Sequence, residues 1–201
     1  MSLENKLWKS GFCHVAGIDE VGRGSWAGPL VVGAVILPQN FKIPKGFNDS
    51  KKLKPILRKK FAKFIKETAI SWAISKVEVG IINKKGIGKS TQIAFRKALR
   101  DLKPFPQHTL VDAFYIKHIS KKTQTPIVGG DQKSASIAAA SVIAKVYRDN
   151  LMSKMSQKYN LWGFEKHKGY GTKFHQEKIK KYGFCKIHRT SFNLNYLINE
   201  N

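Results

Sequence analysis

The segment Gly17-Ile-Asp-Glu-Val-Gly-Arg-Gly-Ser-Trp-Ala-Gly-Pro29 decides the fold of this chain. An apolar run at 15–18 leads into two adjacent carboxylates, Asp19 and Glu20, and a second apolar run at 30–37 follows the proline. This order predicts a strand, a sharp glycine-rich turn and a second strand. Because neighbouring strand residues point to opposite faces, the two carboxylates are expected to work together only if the strand ends or bulges at Glu20.

The turn itself holds Arg23 between Gly22 and Gly24. Glycine leaves the backbone unusually free, which suits close approach of the sugar or phosphate of a ligand. The alternative is a surface hairpin with solvated acids and ordinary turn glycines. The flanking apolar runs favour a functional site, since they place the turn on a rigid sheet.

The charge of the chain indicates its class of partner. The 201 residues, 42% of them apolar, are enough for one domain spanning 1–201 with a real core. Lysine and arginine number 37 against 13 acids, so the net charge is +24. An excess of this size predicts a polyanionic partner, with nucleic acid favoured over an anionic membrane.

Neither export nor membrane insertion is expected. The first 14 residues contain no continuous apolar stretch, and the longest apolar segment, 26–37, is short and interrupted by Gly28, Pro29 and Gly33. Cys13 and Cys185 have no metal-ligand spacing and are predicted to be free thiols. The expected compartment is the cytoplasm, and the expected state is a monomer.

Hydrophobic patterns predict a mixed α/β sheet with helices packed on it. Residues 1–11 are polar and are expected to be a loose end. The predicted strands are 14–19, 30–37, 69–79, 108–111 and 126–128. The predicted helices begin at Pro55 and cover 81–102, which Gly86 and Gly88 could divide, then 134–155 and 172–181.

Four acids form a candidate metal site. Asp19, Asp112 and Asp131 each follow an apolar strand or its glycine extension, so they are expected to converge with Glu20 at one edge of the sheet. Oxygen ligands without His or Cys suit Mg²⁺ or Mn²⁺, and two such ions support hydrolysis of a phosphodiester. For Asp131 the alternative is capping of the next helix.

The remaining polar residues allow two interpretations each. Asp149 could join the metal site, but an ion pair on the helix surface is favoured. Lys145 and Arg148 share a helix face with Ser141 and could contact phosphates or simply face solvent. His167 and His175 could be core residues or phosphate contacts. The acids expected to be solvated are Glu4, Glu67, Glu78, Asp101, Glu165, Glu177 and Glu200.

Taken in order, the motifs resemble those of ribonuclease HII over about residues 15–190. The resemblance rests on the opening segment, Asp49-Ser-Lys-Lys-Leu53, Val111-Asp112, Gly130-Asp-Gln-Lys-Ser134, Ala138-Ala-Ala-Ser-Val-Ile-Ala-Lys-Val-Tyr-Arg-Asp149 and His167-Lys-Gly-Tyr-Gly-Thr172. The chain departs mildly from the family at Trp26, where a smaller aliphatic residue is common, and in its high lysine content. The arginine of the turn and the lack of a long N-terminal domain argue against the sister family, ribonuclease HIII.

The resemblance implies an α/β fold of the ribonuclease H-like class, a five-stranded mixed sheet flanked by helices with a small C-terminal helical extension. About 12–155 would form the catalytic core, and about 156–201 the extension that completes the substrate groove. It implies cleavage of the RNA strand of RNA–DNA hybrids, and of DNA duplexes on the 5′ side of a single ribonucleotide, leaving 3′-hydroxyl and 5′-phosphate ends. A DNA-only nuclease of the same superfamily and a non-catalytic nucleic-acid-binding protein are the alternatives.

The site residues that the resemblance implies fall into two groups. Asp19, Glu20, Asp112 and Asp131 match the carboxylates that hold two Mg²⁺ or Mn²⁺ ions. Gly22, Arg23 and Gly24 match the loop that recognises the ribose 2′-hydroxyl, and Tyr170 the ring that stacks on the sugar at the junction. The basic motifs complete the predicted substrate contacts, which are Ser50, Lys51, Lys52, Lys145 and Arg148.

Overall fold

The computed structural model describes residues 2–44, 47 and 54–198. The predicted substrate contacts Ser50, Lys51 and Lys52 lie outside the described residues. Within the described part of the chain, no helix combines the length and the apolar character needed to cross a membrane. Cys13 and Cys185 are both free thiols, as predicted.

A mixed five-stranded sheet forms the centre of the molecule, as predicted. The strands lie in the order β3-β2-β1-β4-β5. The first three pair antiparallel, while β4 and β5 continue the sheet parallel to β1. Their bounds are β1 Val15–Val21, β2 Leu30–Ile36, β3 Ser71–Val77, β4 His108–Asp112 and β5 Gln124–Ile127.

Helices cover both faces of the sheet. Ile18, Val32 and Ala34 pack on one face against Phe95 and Leu99 of the third helix, and the other face packs against the second and fifth helices. The described helices are α1 Ser2–Lys9, α2 Pro55–Thr68, α3 Val79–Arg100, α4 Gly130–Lys133, α5 Ala135–Lys158, α6 Phe164–His167 and α7 Lys173–Tyr182. Short 3-10 turns cover Lys121–Thr123, Thr190–Phe192 and Asn195–Leu197.

Two glycines bring α5 into direct contact with the sheet. A Cβ built on Gly17 of β1 would overlap the backbone of Ser136, and one on Gly33 of β2 would overlap the carbonyl of Ala140. Both glycines are therefore needed for close approach, because any side chain would push the helix away. The same packing fixes Ser141 relative to the end of β1.

The break predicted in the third helix is confirmed at Gly86. Its φ of 75° and ψ of 161° are not helical, so α3 consists of two helical pieces that meet at this residue. A positive φ favours glycine, which explains why the chain bends here. Gly88 lies beyond the break, inside the second piece.

The expectation that residues 1–11 are a loose end is wrong. Helix α1 packs Leu3, Leu7 and Trp8 against the core cluster that contains Val15 and Leu110. The expectation that Glu4 is solvated is wrong too. It is fully buried, and its Oε1 accepts hydrogen bonds from the hydroxyls of Ser134 and Ser136 at 2.6 and 2.8 Å and from the Ser136 N–H at 3.0 Å.

Candidate active site

The carboxyl ends of two neighbouring parallel strands bring the first two acids together. Ile18 of β1 pairs with Val111 of β4, so the next residues along each strand are Asp19 and Asp112. β1 continues in regular antiparallel register with β2 as far as Val21. The expected strand end or bulge at Glu20 is therefore wrong, because the ladder with β2 has no interruption there.

A cavity of about 390 Å³ nevertheless contains both adjacent acids. β1 extends past the last residue of β4 that it pairs with, so its end has a free edge on that side. The cavity unites the β1 acids with Asp112 and with the glycine-rich turn. Its lining residues are Asp19, Glu20, Val21, Gly22, Arg23, Asp112, Ser141, Lys145 and Tyr170.

Burial shifts the protonation of the acids in this cavity. It raises the pKa of Asp19 to about 8, an effect that a hydrogen bond with Ser141 opposes and that Glu20 and Asp112 reinforce. Burial also raises the pKa of Glu20, while the Arg23 guanidinium, 3.6 Å away, opposes the shift. Burial, with a smaller contribution from the neighbouring carboxylates, thus favours a proton or a cation at Asp19 and at Glu20.

The donor set of the cavity fits a hard divalent cation. All three acids offer oxygen, and the Oε2 atom of Glu20 is buried without a hydrogen-bond partner. Within the described ranges, no three His, Cys, Asp or Glu side chains are already arranged as metal ligands. The residues therefore fit a cation by chemistry and proximity, and their side chains must adjust to bind it.

Asp131 lies next to this group but does not line the cavity within the part of the chain that is described. It is buried in the first turn of α4, and the preceding Gly130 N–H donates a 2.8 Å hydrogen bond to Oδ1 of Asp112. The capping alternative for Asp131 is wrong: Ser134 caps α5, its side chain accepting from the N–H of Ile137.

The glycine-rich turn is shaped from beneath by a buried side chain. Gly22 has a φ of +87°, and a Cβ there would overlap the guanidinium of Arg148. Gly24 has open space around it, since a Cβ at this residue would meet nothing within 4 Å. Of the two glycines that flank Arg23, one is thus required by the fold, and the other leaves room for a ligand.

Arg148 does not occupy the surface position predicted for a substrate contact. It is fully buried, and it donates hydrogen bonds to the carbonyls of Pro29, Lys168 and Ala27 at 3.0, 2.9 and 3.1 Å. Burial lowers its pKa. The prediction of phosphate contact is wrong for this residue, because its donors are directed to the backbone that carries the site.

A second buried arginine holds the same turn. Arg189 donates to the Gly28 carbonyl from two nitrogens, at 2.9 and 3.0 Å, and to the Arg23 carbonyl at 2.9 Å. Burial lowers its pKa to about 9, and the nearby charge of Arg148 adds to that effect. Sequence reasoning missed Arg189, because nothing in its local pattern distinguishes it from the many surface cations.

Tyr170 and Lys145 line the same cavity as the acids. Tyr170 is half-buried, with the Lys145 ammonium 5.8 Å and the Arg148 guanidinium 5.4 Å from its ring centre. Lys145 also pairs with Asp149 at 2.7 Å, and Arg58 approaches Asp149 at 3.5 Å. The favoured ion-pair interpretation of Asp149 is confirmed.

His167 and His175 are buried next to Tyr170. They are therefore core residues and not phosphate contacts. Their rings stack with centres 4.2 Å apart, and Nε2 of His175 lies 3.1 Å from Nε2 of His188. The Tyr170 carbonyl lies 2.9 Å from Nδ1 of His175. This buried cluster supports the Tyr170 segment. Sequence reasoning missed His188, because its contact with His175 depends on how the C-terminal segment folds back.

Comparison with known proteins agrees with the motifs. The family model of ribonuclease HII matches residues 16–195. The chain is 48% identical over 189 residues to the ribonuclease HII of Bacillus cytotoxicus, covering 94% of this chain and 72% of that protein. It is 46% identical over 197 residues to the ribonuclease HII of Ruminiclostridium cellulolyticum, covering 98% and 76%.

A solved structure is similar to almost the whole chain. The crystal structure of ribonuclease H2 from Pyrococcus horikoshii superposes with a TM-score of 0.74 at 29% identity. The match covers 94% of this chain and all of that one. The similarity therefore extends over the sheet, the flanking helices and the C-terminal segment alike.

Proposed function

The chain belongs to the ribonuclease HII family and is a ribonuclease H, and on this basis we propose how its cavity selects and cuts a substrate. The proposed reaction is hydrolysis of the RNA strand of RNA–DNA hybrids, and incision on the 5′ side of a single ribonucleotide in a DNA duplex. The products carry 3′-hydroxyl and 5′-phosphate ends. One observation carries the proposal: a single cavity unites Asp19, Glu20 and Asp112 with Gly22, Arg23 and Tyr170.

The acids are proposed to bind two Mg²⁺ or Mn²⁺ ions, with Asp131 as the fourth ligand. The chemistry that such ions supply is a lowered pKa of a bound water and stabilisation of charge on the leaving oxygen. The raised pKa values of Asp19 and Glu20 support this role, because cations would restore the charged form of both groups. Ser141 and Arg23 orient those two carboxyls.

Selection of RNA is proposed to depend on the turn and the tyrosine. The 2′-hydroxyl separates RNA from DNA. The open space at Gly24 lets main-chain groups approach it, and the Tyr170 ring in the wall of the cavity limits where the sugar lies. A DNA-only nuclease has no use for this arrangement, which is why we favour a ribonucleotide substrate.

The basic surface is proposed to supply most of the affinity. The net charge of +24 suits a duplex backbone, and Lys145 is the lysine that lines the cavity itself. We further propose that residues 156–201 complete the groove and that the enzyme works as a cytoplasmic monomer. Tyr170 belongs to that C-terminal segment, which supports its part in the site.

The test is cleavage of a labelled DNA duplex that contains one ribonucleotide, with all-DNA and RNA–RNA duplexes as controls, with and without Mg²⁺. The expected result is one metal-dependent cut at the phosphate on the 5′ side of the ribonucleotide. Cleavage of the all-DNA duplex at a similar rate would refute the proposed selectivity. A cut on the 3′ side would refute the proposed register.

A further inference from the structure

A second, larger cavity adjoins the active site on the other side of Arg23. It measures about 560 Å³, and it is bounded by α3 on both sides of the break at Gly86 and by the loop after β4. Arg23 lines both cavities. Its guanidinium lies 3.6 Å from Glu20 on one side and 4.8 Å from the Phe114 ring centre on the other. The two cavities are therefore neighbours separated by one side chain.

Cationic side chains dominate the walls of this second cavity. Lys85, Lys89, Arg96 and Lys117 line it together with Arg23, and Asp and Glu are absent from its described lining. Lys85 and Lys89 lie on either side of the break at Gly86 in α3. Among the described residues Glu20 pairs with Arg23 alone, and the excess of positive charge in the cavity raises the local concentration of polyanions.

The loop that closes the cavity is fixed to α3. The Gln92 amide donates to the Tyr115 carbonyl at 3.1 Å and accepts from the Lys117 N–H at 2.6 Å. Arg96 donates to the Lys117 carbonyl at 3.2 Å. These bonds hold Lys117 and Phe114 in place, so the cavity is built before a ligand arrives. Ile93 and Phe114 give it an apolar floor.

We infer that this cavity binds phosphodiester groups of the substrate duplex beyond the nucleotide being cut, with Lys85 and Lys89 as the principal phosphate contacts. The inference rests on the proposed function and deepens it. Arg23 would then contact the backbone between the two cavities, joining the recognition of the ribonucleotide to that of the flanking duplex. An apolar floor suits the faces of the sugars, while the lysines suit the charged linkages.

A double variant with a matched control tests the inference. K85Q/K89Q removes two charges from the cavity, and K84Q/K97Q removes two charges from the same helix outside it. Binding of a ribonucleotide-containing duplex is measured over a range of salt without divalent metal. For K85Q/K89Q we expect the slope of log affinity against log salt to fall by about 1.8, about 0.9 for each lost phosphate contact. The control should keep the wild-type slope, and equal slopes in both variants overturn the inference.

Neutral methylphosphonate linkages then separate direct contact from a general field. Placed on the cleaved strand in one duplex and on the complementary strand in another, they identify the strand that enters the cavity. On that strand they should weaken wild-type binding and have little further effect on K85Q/K89Q. If neutral linkages on either strand weaken both proteins equally, direct contact is refuted.

A cleavage assay on the same duplex with Mg²⁺ distinguishes failure of the cavity inference from failure of the proposed function. Intact wild-type cleavage with unchanged slopes would overturn the cavity inference alone. Loss of ribonucleotide-specific cleavage in the wild type would overturn the proposed function, while the binding comparison still decides whether the cavity holds phosphates.

Discussion

Acidification should weaken the fold through the buried imidazoles of His175 and His188. Burial, reinforced by His167, lowers the pKa of His175 to about 3, and burial lowers the pKa of His188 to about 4, from an ordinary value of 6.5. Below about pH 6.5 the two imidazoles are therefore protonated in the unfolded chain but remain neutral in the folded protein. The stability that the neutral rings contribute is complete above that pH and is lost as the pH falls toward 4 and then 3.

The size of the effect follows from the two shifts. At about pH 5 the unfolded imidazoles are protonated while the folded ones remain neutral. Because pH 5 lies about 1.5 units below the unfolded pKa, and each unit is worth about 1.36 kcal/mol, each ring lowers the free energy of unfolding by about 2 kcal/mol. The two rings together account for about 4 kcal/mol between about pH 7.5 and pH 5. That is a large fraction of the roughly 5–15 kcal/mol by which domains are stable.

Titration of Asp19 changes the stability with pH in the opposite direction to that of the two histidines, so the assay must separate the two effects. Its pKa is raised to about 8, so the folded state keeps a proton that the unfolded chain loses above 3.8, and acid stabilises the fold through this group. The total pH dependence therefore mixes two signs. A comparison of variants removes the Asp19 contribution, because it is common to all of them.

The assay is urea unfolding of wild type, His175→Asn and His118→Asn at about pH 7.5 and about pH 5 in one buffer system. Relative to wild type, His175→Asn should lose about 2 kcal/mol less stability across this range, since it no longer titrates. His118 is exposed with a φ of 64°, which Asn tolerates, so His118→Asn serves as the control. An unchanged pH dependence in His175→Asn would refute the buried-imidazole reasoning.

Three further predictions test the site and its supports. Asp19→Asn and Asp112→Asn should each lower kcat by at least about a hundredfold. Duplex affinity should stay within about threefold, because phosphate contacts are expected to supply the affinity. Turnover close to that of the wild type would contradict the metal assignment. Tyr170→Ala should reduce kcat/KM about tenfold more for a DNA duplex with a single ribonucleotide than for a long RNA–DNA hybrid, because the hybrid can bind in many registers. Equal losses on both substrates would contradict a role of Tyr170 in recognising the ribonucleotide junction. Glu4→Ala should lower the free energy of unfolding in urea by about 2–4 kcal/mol, since it removes the acceptor of two buried hydroxyls and an N–H. Exposed Glu67→Ala should lower it by less than about 1 kcal/mol, and two equally small losses would contradict the buried role of Glu4.

Local pattern was enough to predict the sheet and the motif that carries the acids. The first two strands contain apolar runs with clear punctuation, β3 alternates roughly between apolar and polar residues, and Asp19 and Asp112 directly follow short apolar stretches. Parallel pairing of β1 with β4 then makes them neighbours. The Gly86 break was also visible, because a glycine pair inside a helical pattern is a local signal.

The supports of the site depend on contacts between distant parts of the chain, which local pattern does not reveal. Glu4 meets Ser134 and Ser136 far along the chain, so a polar N-terminal sequence conceals a docked helix. Charge and helical spacing predict a surface position for Arg148, yet its partners are carbonyls. Continuation of β1 past Glu20 was missed because antiparallel pairing with β2 extends further than the parallel pairing with β4.

The two buried arginines have a consequence for how this enzyme can change. Arg148 and Arg189 hold the turn by its main-chain carbonyls, including that of Arg23, and carbonyls are common to every amino acid. Replacing the side chain at position 23 leaves those attachments in place. The path of the turn is thereby uncoupled from the side chains it displays, so a substitution at position 23 can change the group that faces a ligand without moving the main chain of the turn.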